Sequence, residues 1–93
     1  MFVGIDCGTQ GTKAVILDPV KKKTIGEGYA PHQLITGTQG RREQDPAWWV
    51  EALKSSLAAA IAQAKIDPKK IRAIGISGQQ HGLVVLDKNG VPV

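Results

Sequence analysis

The residues best suited to chemistry lie in one short stretch near the start of the chain, DCGTQGTK, residues 6–13. It places an acid, Asp6, before two glycines, Gly8 and Gly11, and surrounds them with hydroxyl and amide side chains and Lys13. Glycines let backbone N–H groups turn toward an anion, and hydroxyls and an ammonium add hydrogen bonds and charge, so the stretch suits phosphate. A carboxylate would repel bare phosphate but can hold hydrated Mg²⁺ that bridges to it. The pattern therefore predicts a site for a metal-bound nucleotide.

A simpler interpretation of the same stretch is a plain turn between two strands. Residues 6–13 match neither of the two standard phosphate-binding loop motifs, G-x-x-x-x-G-K-[ST] and G-x-G-x-x-G. Whether a ligand could reach these groups depends on how the strands and helix on either side are arranged.

Short apolar segments around this stretch predict a small antiparallel sheet. Residues 2–6 and 12–18 are β-branched and apolar and read as strands joined by the glycine turn, and residues 24–30 add a third. Residues 31–45 carry few apolar groups and no period, so we expect a surface loop there.

A helix is predicted to begin at Pro46. Asp45 suits the N-cap, and Pro46 suits the first helical position, where no backbone donor is needed. Asp67-Pro68 ends the segment. The apolar residues that fall on one face at helical spacing are Trp49, Leu53, Leu57, Ala60, Ile61 and Ala64.

The last part of the chain predicts a further strand and a hairpin. Residues 71–77 have small or apolar side chains on both faces, as in a central parallel strand. Residues 83–87 and 91–93 flank Asn89-Gly90, a strong hairpin signal. The predicted fold class is thus α/β: an antiparallel three-strand meander, a crossover helix, a parallel strand and a hairpin.

This order of elements brings two distant segments together. A right-handed crossover makes the strand at 71–77 parallel to the first strand. Asp6 and the segment from Ser77 to His81 then lie at the same edge of the sheet, where open α/β sheets bind ligands. We expect one cleft there.

Composition excludes several classes. The chain has 93 residues, enough for one small domain, and a net charge of +4 whose basic clusters border turns, as solvated charges do. Its few aromatic residues do not interleave with basic ones, which disfavours nucleic-acid binding. A single cysteine, Cys7, excludes an internal disulfide and indicates a reducing compartment, with the cytoplasm as default. We expect no membrane contact, because the first apolar run is too short to span a bilayer.

Three segments together resemble the amino-terminal region of the FGGY carbohydrate kinases. They are GIDCGTQGTK at 4–13, EQDPAWW at 43–49 and IGISGQQHG at 74–82, in the family's order and spacing across the whole chain. The Gln-His pair before Gly82 is similar to that of the pentulose kinases acting on D-xylulose, and favours them over glycerol kinase. At position 10 this chain has Gln where relatives commonly carry Ser or Thr.

The resemblance implies a fold and a set of roles. The fold is a partial ribonuclease-H-like domain of the actin-like ATPase type, with residues 1–93 as an incomplete first kinase domain and the second domain absent. The reaction transfers the γ-phosphoryl of ATP to a sugar hydroxyl, with a catalytic base beyond Val93, so the isolated chain is expected to be inactive. Asp6 would support Mg²⁺ through water, and Gln80 and His81 would contact the sugar. The implied phosphate-binding residues are Gly8, Thr9, Gln10, Gly11, Thr12 and Lys13.

Other interpretations stay open beside this one. Another FGGY sugar kinase fits the same motifs, and a non-catalytic module that forms a homodimer or strand-exchanged assembly fits an incomplete sheet. A two-metal nuclease is disfavoured because no carboxylate follows the strand at 71–77. We expect His32 to be a solvated loop residue, Trp49 to belong to the core, and Glu43 and Asp45 to serve the loop and the helix cap.

Overall fold

The computed structural model describes residues 1–32, 35–36, 42–78 and 83–92, with backbone only at 35–36 and 42–43. Gln80 and His81, the predicted sugar contacts, lie outside the described residues and remain predictions. The strands are β1 (Phe2–Cys7), β2 (Gly11–Asp18), β3 (Lys23–Pro31), β4 (Ile35–Thr36), β5 (Arg42–Glu43) and β6 (Ala73–Ser77).

The main sheet has four strands in the order β3-β2-β1-β6. Strands β1, β2 and β3 form the predicted antiparallel meander, each slightly longer than expected, and β6 pairs parallel to β1 as predicted. The expectation of a loop throughout residues 31–45 is wrong, because β4 and β5 pair there as a second, two-stranded sheet. Strands of two residues are too short to show a period in the sequence.

Helix α1 (Pro46–Ala64) begins where predicted. The Asp45 carboxylate accepts a hydrogen bond of 2.9 Å from the Ala47 N–H, and Pro46 occupies the first turn. The helix ends before Asp67, at Lys65, which adopts a left-handed conformation with φ of 55° and donates its N–H to the Ile61 carbonyl. Asp67 then caps a short 3-10 turn, Pro68–Lys70.

Helix α1 packs small residues against the sheet. Its buried residues are Ala52, Ser56 and Ala60, whereas the larger residues of the predicted face, such as Leu53 and Leu57, are half-buried at the flanks. Glycines in β3 explain the difference, because a Cβ at Gly28 would collide with the Ser56 carbonyl of the helix. The buried sheet residues beneath the helix are Val3, Ile5, Ala14 and Ile16.

Strand β6 is exposed along its whole length. The prediction that both its faces are buried is wrong in this structure: Ile74 and Ile76 are 51% and 64% exposed. The physical reason is position, since β6 is the edge strand of the described sheet and α1 lies over β3 and β2.

The predicted hairpin after β6 is reduced, among the residues described, to a turn and one bridge. The Asp87 carbonyl accepts the Gly90 N–H, and Leu86 pairs with Pro92. Gly90 has φ of 78°, which explains the glycine in this turn. Across the described parts of the chain, no helix is both long enough and apolar enough to cross a membrane.

Candidate functional site

Asp6 and Ser77 meet at the edge predicted for ligand binding. They are register partners in the parallel pair β1–β6, and the Ser77 hydroxyl lies 3.5 Å from the Asp6 carboxylate. Because side chains alternate along β1 and Ile5 is buried on the α1 side, Asp6 lies on the opposite, exposed face. The arrangement leaves a carboxylate exposed at the carboxyl ends of two parallel strands.

Lys13 lies on the same face, across β2. It is the register partner of Asp6, but its ammonium is 3.9 Å from the Glu27 carboxylate of β3. Both side chains of that ion pair are about half exposed, and such pairs contribute at most about 1 kcal/mol. A stronger anion could therefore take the Lys13 ammonium at little cost.

An open cavity of about 500 Å³ runs along this exposed face. Asp6, Lys13 and Ser77 line one end of it. Gly4 and Gly75, which pair across β1 and β6, also line it and contribute no side chain. The cavity therefore exposes polar groups near the carboxyl edge.

The glycine stretch forms a two-residue turn between β1 and β2. The Gly8 N–H donates to the Gly11 carbonyl at 2.9 Å, which leaves Thr9 and Gln10 at the exposed tip. Gly11 is buried, and a Cβ there would collide with the ring of Tyr29 on β3. Close approach by Tyr29 is thus one reason for a glycine at position 11.

Thr12 points away from the exposed face. Its side chain is fully buried, and its hydroxyl lies 2.7 Å from Nε2 of His32. Its predicted phosphate contact stays a prediction, and a contact through the hydroxyl would have to compete with His32.

The expectation that His32 is a solvated loop residue is wrong. The residue is half-buried, bonds to Thr12, and donates its backbone N–H to the Gln10 carbonyl at 2.8 Å. Its buried Nδ1 has no hydrogen-bond partner within the part of the chain that the structure describes. A lone histidine after a strand carries no pattern, so the sequence could not indicate this contact.

Gln44 is a second residue that sequence reasoning missed. Its side-chain NH₂ donates to the Thr9 carbonyl at 2.8 Å, and its side-chain oxygen accepts the Trp49 indole N–H at 2.9 Å. The hairpin tip is therefore linked to the first turns of α1. The available signal was the EQDP segment itself, in which Gln44 directly precedes the helix cap Asp45.

The Asp6 carboxylate and the Ser77 hydroxyl offer oxygen atoms, the type of ligand that Mg²⁺ prefers. Among the described residues, no three His, Cys, Asp or Glu side chains cluster as a metal site. Asp6 instead presents one exposed carboxylate, which suits a cation that keeps several waters and bridges to a nucleotide.

Residues 1–93 match the family described as "FGGY family of carbohydrate kinases, N-terminal domain". Xylulose kinases of Haemophilus influenzae and Streptomyces coelicolor are 61% and 40% identical, over 100% of this chain and 20% and 18% of their own lengths. A xyloylose kinase structure from Brucella ovis superposes with a TM-score of 0.88 at 32% identity, covering 97% of this chain and 18% of that one. A gluconate kinase structure from Lactobacillus acidophilus superposes with a TM-score of 0.87 at 30% identity, covering 99% of this chain and 18% of that one. The chain spans about a fifth of the length of these relatives.

Proposed function

The chain belongs to the FGGY family of carbohydrate kinases, and we propose that it is the amino-terminal segment of an ATP-dependent pentulose kinase that converts D-xylulose to D-xylulose 5-phosphate. The observation that carries this proposal is the placement of Asp6 beside Ser77, directly before the glycine turn. Xylulose kinase as the printed name of several relatives supports the choice of sugar. The full-length enzyme that would contain residues 1–93 is called the parent kinase below.

Phosphoryl transfer needs positioning and charge stabilisation around the γ-phosphoryl group. Mg²⁺, when bound, neutralises charge on the β- and γ-phosphates. Asp6 would hold that ion through water, and Lys13 would leave Glu27 to contact phosphate. The turn at Thr9 and Gln10 would offer its backbone to the nucleotide.

The sugar would lie past the end of β6. Gln80 and His81, which follow Ser77 in the sequence, are the proposed contacts to its hydroxyls. The similarity to a gluconate kinase favours a second candidate, an FGGY kinase acting on another sugar or sugar acid. D-xylulose is therefore the proposed substrate, and gluconate is the alternative substrate to test first.

ADP release by the parent kinase tests the proposal. We expect release in the presence of MgATP to be stimulated by D-xylulose more than by D-ribulose, gluconate or glycerol. Stimulation by gluconate alone would keep the kinase and replace its sugar. A parent kinase that releases no ADP with any of the four would overturn the proposed activity.

A further inference from the structure

We propose that Gln44 is a positioning residue. It holds the turn at residues 8–11, the tip of the β1–β2 hairpin, in the conformation that binds the nucleotide phosphates. This inference rests on the proposed function and adds a residue that the motifs do not assign. Gln44 joins the Thr9 carbonyl to the Trp49 indole, so the hairpin tip and helix α1 are held by one side chain. The contact to Thr9 spans 35 positions in the sequence, so it depends on the fold.

The orientation of the Gln44 amide is fixed by its partners. The Thr9 carbonyl can only accept a hydrogen bond, and the Trp49 indole N–H can only donate one. The NH₂ group must therefore face Thr9 at 2.8 Å, and the oxygen must face Trp49 at 2.9 Å. Exchanging the two ends of the amide would lose both bonds.

Gln44 holds the central peptide group of this turn. Residues 8–11 form the turn, so the peptide between Thr9 and Gln10 is its central unit. Turn types I and II differ chiefly by a flip of that unit, and the type II form needs a positive φ at the third turn residue, here Gln10. The described non-glycine residues with positive φ are Lys22 and Lys65, so the unit is in the unflipped form. A bond to the Thr9 carbonyl opposes the flip.

The flip would matter to an anionic ligand. A trans peptide points its C=O and N–H in opposite directions, and no cis peptide is present among the described residues. With the Thr9 carbonyl directed at Gln44, the Gln10 N–H is directed away from Gln44. A flipped unit would reverse both groups and could turn a carbonyl toward phosphate. The next carbonyl, of Gln10, is held separately by the His32 N–H.

Gln44→Met in the parent kinase tests this role, because methionine keeps a similar length and no charge but cannot donate to Thr9. We expect the KM for ATP to rise or kcat to fall by about 10-fold, the loss of roughly one hydrogen bond. The KM for the sugar should stay within about twofold. Trp49→Phe removes the indole N–H together with the five-membered ring but leaves the Gln44 amide able to donate to Thr9, so we expect a smaller effect in the same direction.

Gln63→Met is the matched control. Gln63 lies on α1, and its side-chain oxygen accepts the Glu27 N–H at 2.6 Å, a contact that does not involve the turn at residues 8–11. It should lower the melting temperature without altering the KM for ATP. If Gln44→Met behaves like Gln63→Met, or changes ATP and sugar KM equally, Gln44 is only structural and the inference is overturned.

A nucleotide-binding measurement separates this inference from the proposed activity. MgADP affinity of the parent kinase, measured by calorimetry, should fall about 10-fold in Gln44→Met and stay unchanged in Gln63→Met. An inactive parent with this difference would reject the sugar kinase and retain the role of Gln44. If the parent kinase is active and both variants keep its MgADP affinity and kinetics, the sugar kinase proposal stands and the role of Gln44 is rejected.

Discussion

Asp6 carries the charge on which the proposed nucleotide site depends. Asp6→Asn keeps the shape of the side chain but removes the charge that would hold hydrated Mg²⁺. In the parent kinase we expect kcat to fall on the order of 100-fold or more, with the KM for the sugar within about twofold. Steady-state kinetics with ATP and sugar varied separately measure both.

Ser77→Ala is the control for Asp6→Asn. It removes a neighbour that lies at 3.5 Å, a distance at which a hydrogen bond is weak. We expect its kcat to stay within about threefold of the parent value. A change in sugar affinity with full turnover in Asp6→Asn would contradict the role given to the carboxylate.

At the scale of single residues, the sequence indicated the groups on the exposed face but not those that hold them. Asp6 and Lys13 could be singled out because an acid and a base flank a glycine turn. The contacts of His32 and Gln44 could not be predicted, because their hydrogen bonds to Gln10 and Thr9 join parts of the chain that only the fold brings together. Supporting contacts of this kind have no spacing rule in the sequence.

At the scale of elements, the packing of α1 on β3 depends on glycines. A Cβ at Gly28 would meet the Ser56 carbonyl, a backbone atom that cannot move without shifting the helix. Gly28→Ala should therefore destabilise the chain by about 1 to 3 kcal/mol, as overpacking does. Urea unfolding followed by circular dichroism measures it.

Gly75→Ala provides the comparison for Gly28→Ala. Gly75 also lies in a strand, but a Cβ there meets no atom within 4 Å. We expect the urea concentration at the midpoint of unfolding to equal or slightly exceed that of the wild type, because alanine loses less conformational entropy than glycine on folding. Equal losses in both variants would show that strand glycines matter through propensity and not through contact with α1.

The Asp18 carboxylate, at the turn after β2, makes the stability of the fold depend on pH. The Lys21 N–H and then the Val20 N–H, at 3.2 and 2.9 Å, donate to the Asp18 carboxylate and hold its pKa below the ordinary value. A lowered pKa stabilises the fold above the unfolded-state value, near pH 4, and the contribution is lost as pH falls through the folded value. The advantage of wild type over Asp18→Asn in urea should therefore shrink below about pH 4. A pH-independent difference would contradict it.

The long elements could be predicted from the sequence, and the two-residue strands could not. The meander follows from short β-branched and apolar runs between turn residues, α1 follows from helical spacing, and the Asp45 cap follows from residue type. The same helical spacing predicted that the large residues of α1 face the sheet. In the structure small residues lie closest to the sheet, because the helix backbone approaches the glycines of β3, and helical spacing carries no information about β3.

At the scale of the molecule, the described residues of β6 and of 83–92 are exposed. The radius of gyration is 15.3 Å, against about 12 Å for a compact domain of this length. The apolar pattern of β6 predicted burial, yet no described helix or strand covers its outer side. The sequence records which side chains are apolar, and cannot record whether the residues that cover them are present.

An uncovered edge strand favours self-association of the isolated chain. We expect its average mass in sedimentation to rise with concentration, through pairing at β6. Ile76→Lys, at a position 64% exposed, should reduce that rise without unfolding the core. A strictly monomeric wild-type chain would count against both this expectation and a non-catalytic assembly module.

The isolated chain should have no measurable sugar kinase activity and should bind MgATP or D-xylulose in the millimolar range or more weakly. Phosphoryl transfer depends on a water-poor cleft closed between two domains, whereas the described site is one open face with Asp6, Lys13 and Ser77 at its end. Each hydrogen bond from the turn contributes on the order of 1 kcal/mol net, and association costs about 4 kcal/mol or more before affinity appears. Calorimetric titration with a coupled ADP assay measures both quantities. Micromolar binding, or turnover that Asp6→Ala abolishes, would show that residues 1–93 form a complete site by themselves.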